Sequence, residues 1–284
     1  MFDEILSQLV NGLVLGTLYV LIALGLSIIF GLLGVVNFAH GAFVALGAHF
    51  ALSLHQHFGW SAVIFAPVLA GICGAIVEIV LIRRMYGKEP LLTLVLTFAI
   101  ALLMEALMRQ FWGAGGTPFQ APAFLRGFVE YGSIVLTTYR VAVLGVTVVL
   151  LIAMWALLIH TPFGRILRAG SRDPEMVGLL GVNLPRTLTA TFALGCMLAG
   201  TAGLLAAPLW TVTPSMGAGA IMPAFVIVTI GGLGSYVGAI VAGLLVGVVT
   251  ALVVQFQPQA SAVAMYVLMA LVLLLRPRGL FGEH

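Results

Sequence analysis

The run Asn37-Phe38-Ala39-His40-Gly41 places an amide and an imidazole beside a glycine, between two charge-free stretches, Gly12 to Val36 and Gly41 to Leu54. Both polar groups can donate and accept hydrogen bonds, and glycine lets the backbone leave a regular helix. In a hydrocarbon setting, such a break is tolerated only where protein or water surrounds it. Asn37, His40 and Gly41 are therefore read as a point on a route through a membrane. Two roles stay open for His40: bonding a passing solute, or satisfying a carbonyl that the break frees.

A second break, Gly231-Gly232-Leu233-Gly234-Ser235, precedes Gly238-Ala239-Ile240-Val241-Ala242, a faint echo of Gly41-Ala42-Phe43-Val44-Ala45. Glycine-interrupted segments in corresponding halves point to a midplane pathway in transporters. Gly231, Gly232, Gly234 and Ser235 are thus assigned to the same route as Asn37. Of the apolar-segment carboxylates, Glu78 sits just before Arg83 and Arg84 and is expected to pair with them. Glu105 stands four residues before Arg109, the favourable order for an intrahelical ion pair, expected here as structural. His49, His55 and His57 lack the converging ligands of a metal site and are read as interfacial; no metal or cofactor is expected. A phosphate-binding loop is also missing. The single lysine, Lys88, follows Gly87, but Glu89 comes next and Ile82 stands where the first glycine belongs. Paired acids and a nucleophile elbow are not found, so an enzyme is not expected.

The elements that must hold these residues are apolar. The chain is 62% hydrophobic and 7% charged, too few ionic groups to cover a soluble domain. Nine hydrophobic segments run roughly over 5–33, 38–55, 61–82, 91–111, 139–160, 187–209, 219–233, 236–255 and 260–275, and no period-2 pattern suggests a β-barrel. The expected fold is all-α: one polytopic transmembrane helical bundle over 1–284 with eight or nine crossings and discontinuous helices. The uncertain crossing is the short segment 219–233. Cys73 and Cys196 are read as packing residues. The acidic start Met1-Phe2-Asp3-Glu4 is unlike a cleaved signal, so the first helix is expected to remain as an anchor. Arg83, Arg84, Lys88, Arg165, Arg168, Arg172, Arg186, Arg276 and Arg278 belong on the cytoplasmic side, which puts an outer loop at 112–138. Gly12 and Gly16, the row Gly195, Ala199 and Gly203, and the row Ala239, Gly243 and Gly247 have the spacing of close helix contacts.

The longest cytoplasmic stretch, 161–186, is expected to hold two short helices. Thr161 caps the first, opened by Pro162; Asp173 caps the second, with Pro174 and Glu175 in its first turn and Gly181 at its end. Met176, Val177, Leu179 and Leu180 need a cover. That cover is either a docked protein or lipid headgroups.

Four features occur in order: Asn37 to Gly41; Gly164-x-x-x-Arg168-Ala169 through Gly178-x-x-Gly181-Val182-Asn183; Gly231-Gly232-Leu233-Gly234-Ser235-x-x-Gly238-Ala239; and Arg276-Pro277-Arg278-Gly279-Leu280-Phe281-Gly282. Together they resemble the permease subunit, the smaller of the two, of branched-chain amino acid ABC importers. The resemblance runs from Asn11-Gly12 to Gly282. It implies a second permease subunit, two cytoplasmic ATP-binding subunits, a periplasmic solute-binding protein and a place in a bacterial inner membrane. It also implies that the cytoplasmic stretch is the coupling element seated on an ATPase, with Gly164, Arg165, Arg168, Ala169, Asp173, Glu175, Gly178 and Gly181 as its residues. Family members serve several small amphipathic solutes, including amides and urea, so a branched-chain amino acid is the leading expectation. No nucleic-acid partner is expected. The rivals are a secondary transporter driven by an ion gradient, which would need an essential intramembrane carboxylate such as Glu105, and a membrane-embedded enzyme.

Overall fold

The computed structural model describes residues 2–34, 36–131 and 134–282; Met1, at the head of the expected anchor, and the last two positions of the 1–284 domain lie outside the described residues. The element order is α1 (Phe2–Leu33), α2 (His40–Phe58), α3 (Ala62–Val80), α4 (Pro90–Trp112), β1 (Phe128–Tyr131), β2 (Ile134–Thr137), α5 (Thr138–His160), α6 (Pro162–Arg172), α7 (Pro174–Leu179), α8 (Leu184–Ala206), α9 (Met216–Gly231), α10 (Tyr236–Phe256) and α11 (Ser261–Leu275). Each of the nine apolar segments carries a long helix. Among the described residues seven helical stretches are long and apolar enough to cross a membrane. One of them, His40–Met85, runs through both α2 and α3, while α9 at 16 residues is shorter. The chain is a polytopic helical bundle. Among the described residues it departs from all-α in a small antiparallel hairpin, with Phe128 opposite Thr137, between α4 and α5.

α1 and α8 form the centre. Leu21, Ala23, Leu24 and Ile29 of α1, and Phe192, Cys196 and Ala199 of α8, are fully enclosed. Small residues bring the backbones together. Gly12 and Gly16 of α1 lie on Gly247, Val248 and Gly243 of α10, and Gly195 lies on Gly25 and Ile29. Without a hydrophobic force between helices in lipid, this close van der Waals contact holds the bundle. α4, α5 and α11 make the rim. Phe98, Val149 and Leu274 project from it as exposed apolar side chains, as a lipid-facing surface requires.

α2 and α3 pack on each other and on α8, and a 3₁₀ turn at Gly59–Ser61 reverses the chain between them. α2 therefore begins not at an end of the bundle but inside it, against the middle of α1. That internal start is what the site is built on.

Candidate functional site

α1 ends at Gly34, whose φ of +62° favours glycine. The chain then re-enters the bundle. The Asn37 carbonyl accepts from His40 N at 3.2 Å, and its side-chain Oδ1 accepts from Ala39 N at 3.1 Å. This asparagine turn supplies the partners that a helix start buried away from water would otherwise lack. Thr97 of α4 braces the turn from the side, its Oγ1 accepting from Phe38 N at 3.2 Å. Phe38 stacks on Phe225 of α9, with ring centres 6.2 Å apart, and meets Phe98 edge-on at 6.5 Å.

Asn37 and His40 are both enclosed. His40 Nε2 lies 3.0 Å from the Ile22 carbonyl. A carbonyl can only accept, so Nε2 carries the proton and Nδ1 presents a lone pair. That Nδ1, like Asn37 Nδ2, has no hydrogen-bond partner among the described residues. A buried polar atom left so costs about 1–3 kcal/mol. The Ile22 carbonyl belongs to the interior of α1 and not to the break at Asn37–Gly41, and His40 Nδ1 remains available.

Gly41, one residue on, meets Gly217 at the start of α9. A Cβ on either would collide with the carbonyl oxygen of the other. Gly217 follows a non-helical passage that returns from the end of α8 and is bridged to the segment after α4 through Thr117 and Val212. Two helices thus start inside the bundle and touch at their first turns. The structural counterpart of Gly41 is Gly217; Gly238 instead faces Gly231.

The second predicted group lies elsewhere. Gly231, Gly232, Gly234 and Ser235 form the turn between α9 and α10. Ser235 Oγ caps α10 by accepting from Gly238 N at 3.0 Å. The C-terminal segment clips onto this turn: Leu280 N donates to Ile230 O at 2.8 Å and Phe281 N to Gly231 O at 3.0 Å. The turn touches α1 at Gly31 and reaches it through Ser27 Oγ, 3.4 Å from Ser235 O. Along α1, the His40 contact at Ile22 and the Gly234 contact at Gly31 are nine residues, about 10–15 Å, apart, whereas Leu26 borders Asn37 and the next residue, Ser27, reaches Ser235.

The stretch 161–186 folds as α6 and α7. Thr161 Oγ1 accepts from Gly164 N at 3.2 Å, and Asp173 Oδ1 from Met176 N at 2.9 Å. Gly181, at φ +81°, ends the pair, and Asn183 Oδ1 caps α8. Arg168 turns inward and donates to the Leu158 carbonyl at the end of α5. Gly164 packs on that same carbonyl so closely that no side chain fits, whereas Gly178 faces open space. The Ala169 carbonyl accepts from Asp173 N across the junction. Arg165 and Glu175 point outward without a partner among the described residues. Met176, Leu179 and Leu180 are exposed; Val177, grouped with them in the sequence reading, is instead buried.

Among the described residues Glu78 pairs with Arg83 but not with Arg84, and Glu105 pairs with Arg109. Glu78 is fully enclosed and receives Arg83 Nη2 at 3.0 Å, Tyr86 Oη at 2.9 Å and Thr189 Oγ1 at 2.7 Å. Burial, with the Glu78 bond second, pushes the Tyr86 phenol up. Glu105 and Arg109 pair at 2.5 Å one turn apart on α4.

Sequence reasoning missed Thr97, Thr189 and Phe225. Each acts on a partner more than fifty residues away, and a lone Thr or Phe in an apolar helix gives no local signal.

A family profile described as the branched-chain amino acid transport system permease component matches residues 8–275. Over 298 residues the chain is 29% identical to the high-affinity branched-chain amino acid transport system permease protein LivH of Escherichia coli K12, covering 99% of this chain and 97% of that one. It is 31% identical over 294 residues to the corresponding protein BraD of Pseudomonas aeruginosa, covering 98% and 96%. It is 27% identical over 290 residues to the permease protein LivM of E. coli K12, covering 93% of this chain and 67% of that one. No solved structure matches.

Proposed function

The chain belongs to the branched-chain amino acid transport permease family, and from that premise we propose that it forms half of a pathway carrying a branched-chain amino acid across a bacterial inner membrane. It is a transport component, not an enzyme. A second permease subunit completes the pathway. Two ATP-binding subunits drive it from the cytoplasm, and a periplasmic solute-binding protein delivers the solute. The similarity to both LivH and LivM supports a pore of two related chains.

One observation carries the reading. A cap-fixed helix pair, anchored to α5 through Arg168 and Gly164, exposes Met176, Leu179 and Leu180 together. Apolar residues held this rigidly need a partner surface. Arg165 and Glu175 on the same pair offer charges for it. Gly164, Arg168 and Ala169 fix the pair to the bundle, Asp173 starts its second helix, and Gly178 and Gly181 shape its end. Motion of the ATPases would reach α5 through the Arg168 contact and α8 through Asn183.

Asn37, His40 and Gly41 line the route at the internal start of α2. Gly231, Gly232, Gly234 and Ser235 shape its cytoplasmic side. The ion-gradient alternative finds no support, and Glu105 is already neutralised by Arg109.

Affinity purification of the chain from its own cells tests the assignment. ATP-binding chains should co-purify with the native protein and be lost from a Leu179→Asp, Leu180→Asp variant whose bundle still folds. Their absence from the native preparation would contradict it.

A further inference from the structure

One half of the Asn37 amide is committed and the other half is idle. Oδ1 holds the Ala39 amide, while Nδ2 has no partner among the described residues although Asn37 is 1% exposed. The side chain borders a narrow cleft shared with Leu26, Val36, Phe38, Ile221 and Phe225. The cleft has no room for a water molecule, so solvent does not satisfy Nδ2 here. Every other lining residue is apolar, and the Phe38–Phe225 stack stands at its edge.

We propose that this cleft is the transit subsite of the pathway: Asn37 Nδ2 donates to the carboxylate of an apolar α-amino acid, and separation of the Phe38 and Phe225 rings admits it. The inference rests on the transport reading above and specifies where within the chain the solute pauses. Nδ2 only donates, so its ligand must bring an acceptor, and a carboxylate is the strongest one such a solute carries. The lining holds no acid to favour a cation and five aliphatic or aromatic neighbours for a branched side chain. Three residues on, the His40 Nδ1 lone pair also lacks a partner, the polarity that an ammonium group would satisfy. The cleft lies between α1, the re-entrant segment and α9, beside the Gly41–Gly217 contact. Relative movement of α2 and α9 about that contact parts the two rings.

The test uses the complete transporter with all its partner chains in proteoliposomes, supplied with ATP and a diazirine analogue of leucine, irradiated during turnover and mapped by mass spectrometry. Label is expected on residues 36–38 and 221–225. In Asn37→Asp, which keeps the Oδ1 acceptor but sets a carboxylate against the substrate's own, that label should fall about tenfold while labelling of the binding protein is unchanged. The wild-type map decides the matter alone where Asn37→Asp fails to assemble. Label confined to other segments, in a complex that takes up leucine, would overturn the subsite and leave the transport reading standing. A complete wild-type complex that takes up no leucine would overturn the transport reading and the subsite with it.

Discussion

Gly41 and Gly217 meet backbone to backbone, each occupying the space that the other's Cβ would need. This contact lets α2 and α9 begin inside the bundle, next to a buried asparagine and histidine. Substituting either glycine by alanine forces the helices apart. Such overpacking should lower stability by about 1–3 kcal/mol, read as a fall in the thermal midpoint of the purified protein. Gly219→Ala, two residues on and facing open space, should be near neutral. Equal effects at 217 and 219 would contradict the contact.

Glu78 joins α3 to α8 through Thr189. Removing its carboxylate in Glu78→Ala strands Arg83, Tyr86 and Thr189 together. The expected loss is about 2–3 kcal/mol, discounted because the Arg83 side chain is 36% exposed. Adding Arg83→Ala to Glu78→Ala should cost less than the two single losses summed. A double-mutant cycle by thermal unfolding measures this, and simple additivity would show that the pair does not couple.

Arg168 and Gly178 were legible in sequence as one motif, yet they sit differently. Arg168→Ala removes a charge-assisted bond to α5 worth about 2 kcal/mol, so the complex should still hydrolyse ATP but move less solute per ATP. Gly178→Ala meets no atom within 4 Å and should leave the chain's own stability unchanged. Any effect of Gly178→Ala on coupling would therefore report contact with a partner. The ratio of uptake to hydrolysis in proteoliposomes separates these outcomes.

Gly232 holds φ at +100°, and a Cβ there would sit 2.6 Å from the Gly282 amide. Gly232→Ala should release the C-terminal clip at a cost of about 1–3 kcal/mol. Limited trypsin digestion should then cut after Arg278, which Gly279 follows, faster than in the native chain. Unchanged cleavage would contradict the clip.

Much of this architecture was readable from local chemistry. Apolar runs marked the nine main helices among the described residues, because apolar helices satisfy their own backbones in lipid. The Thr161 and Asp173 caps were readable because a cap's partner lies three residues away. The ion pairs at Glu78 and Glu105 were equally local. What sequence could not give was pairing over distance. The echo between Gly41 and Gly238 suggested matching breaks, yet Gly41 meets Gly217, because backbone approach depends on how helices cross. The place of Gly231–Ser235 was equally hidden: it packs on Gly31 and the C-terminal segment and is reached by Ser27, next to the Leu26 that borders Asn37. Val177 looked exposed beside Leu179 because six residues of helix are too few to define a face.

Leucine uptake into proteoliposomes tests the central claim, that this chain is a gate moved by ATPases it does not contain. The complete complex should accumulate leucine only with ATP and the binding protein present, and the chain alone should accumulate none under any imposed ion gradient. Uphill uptake by the isolated chain without nucleotide would contradict it.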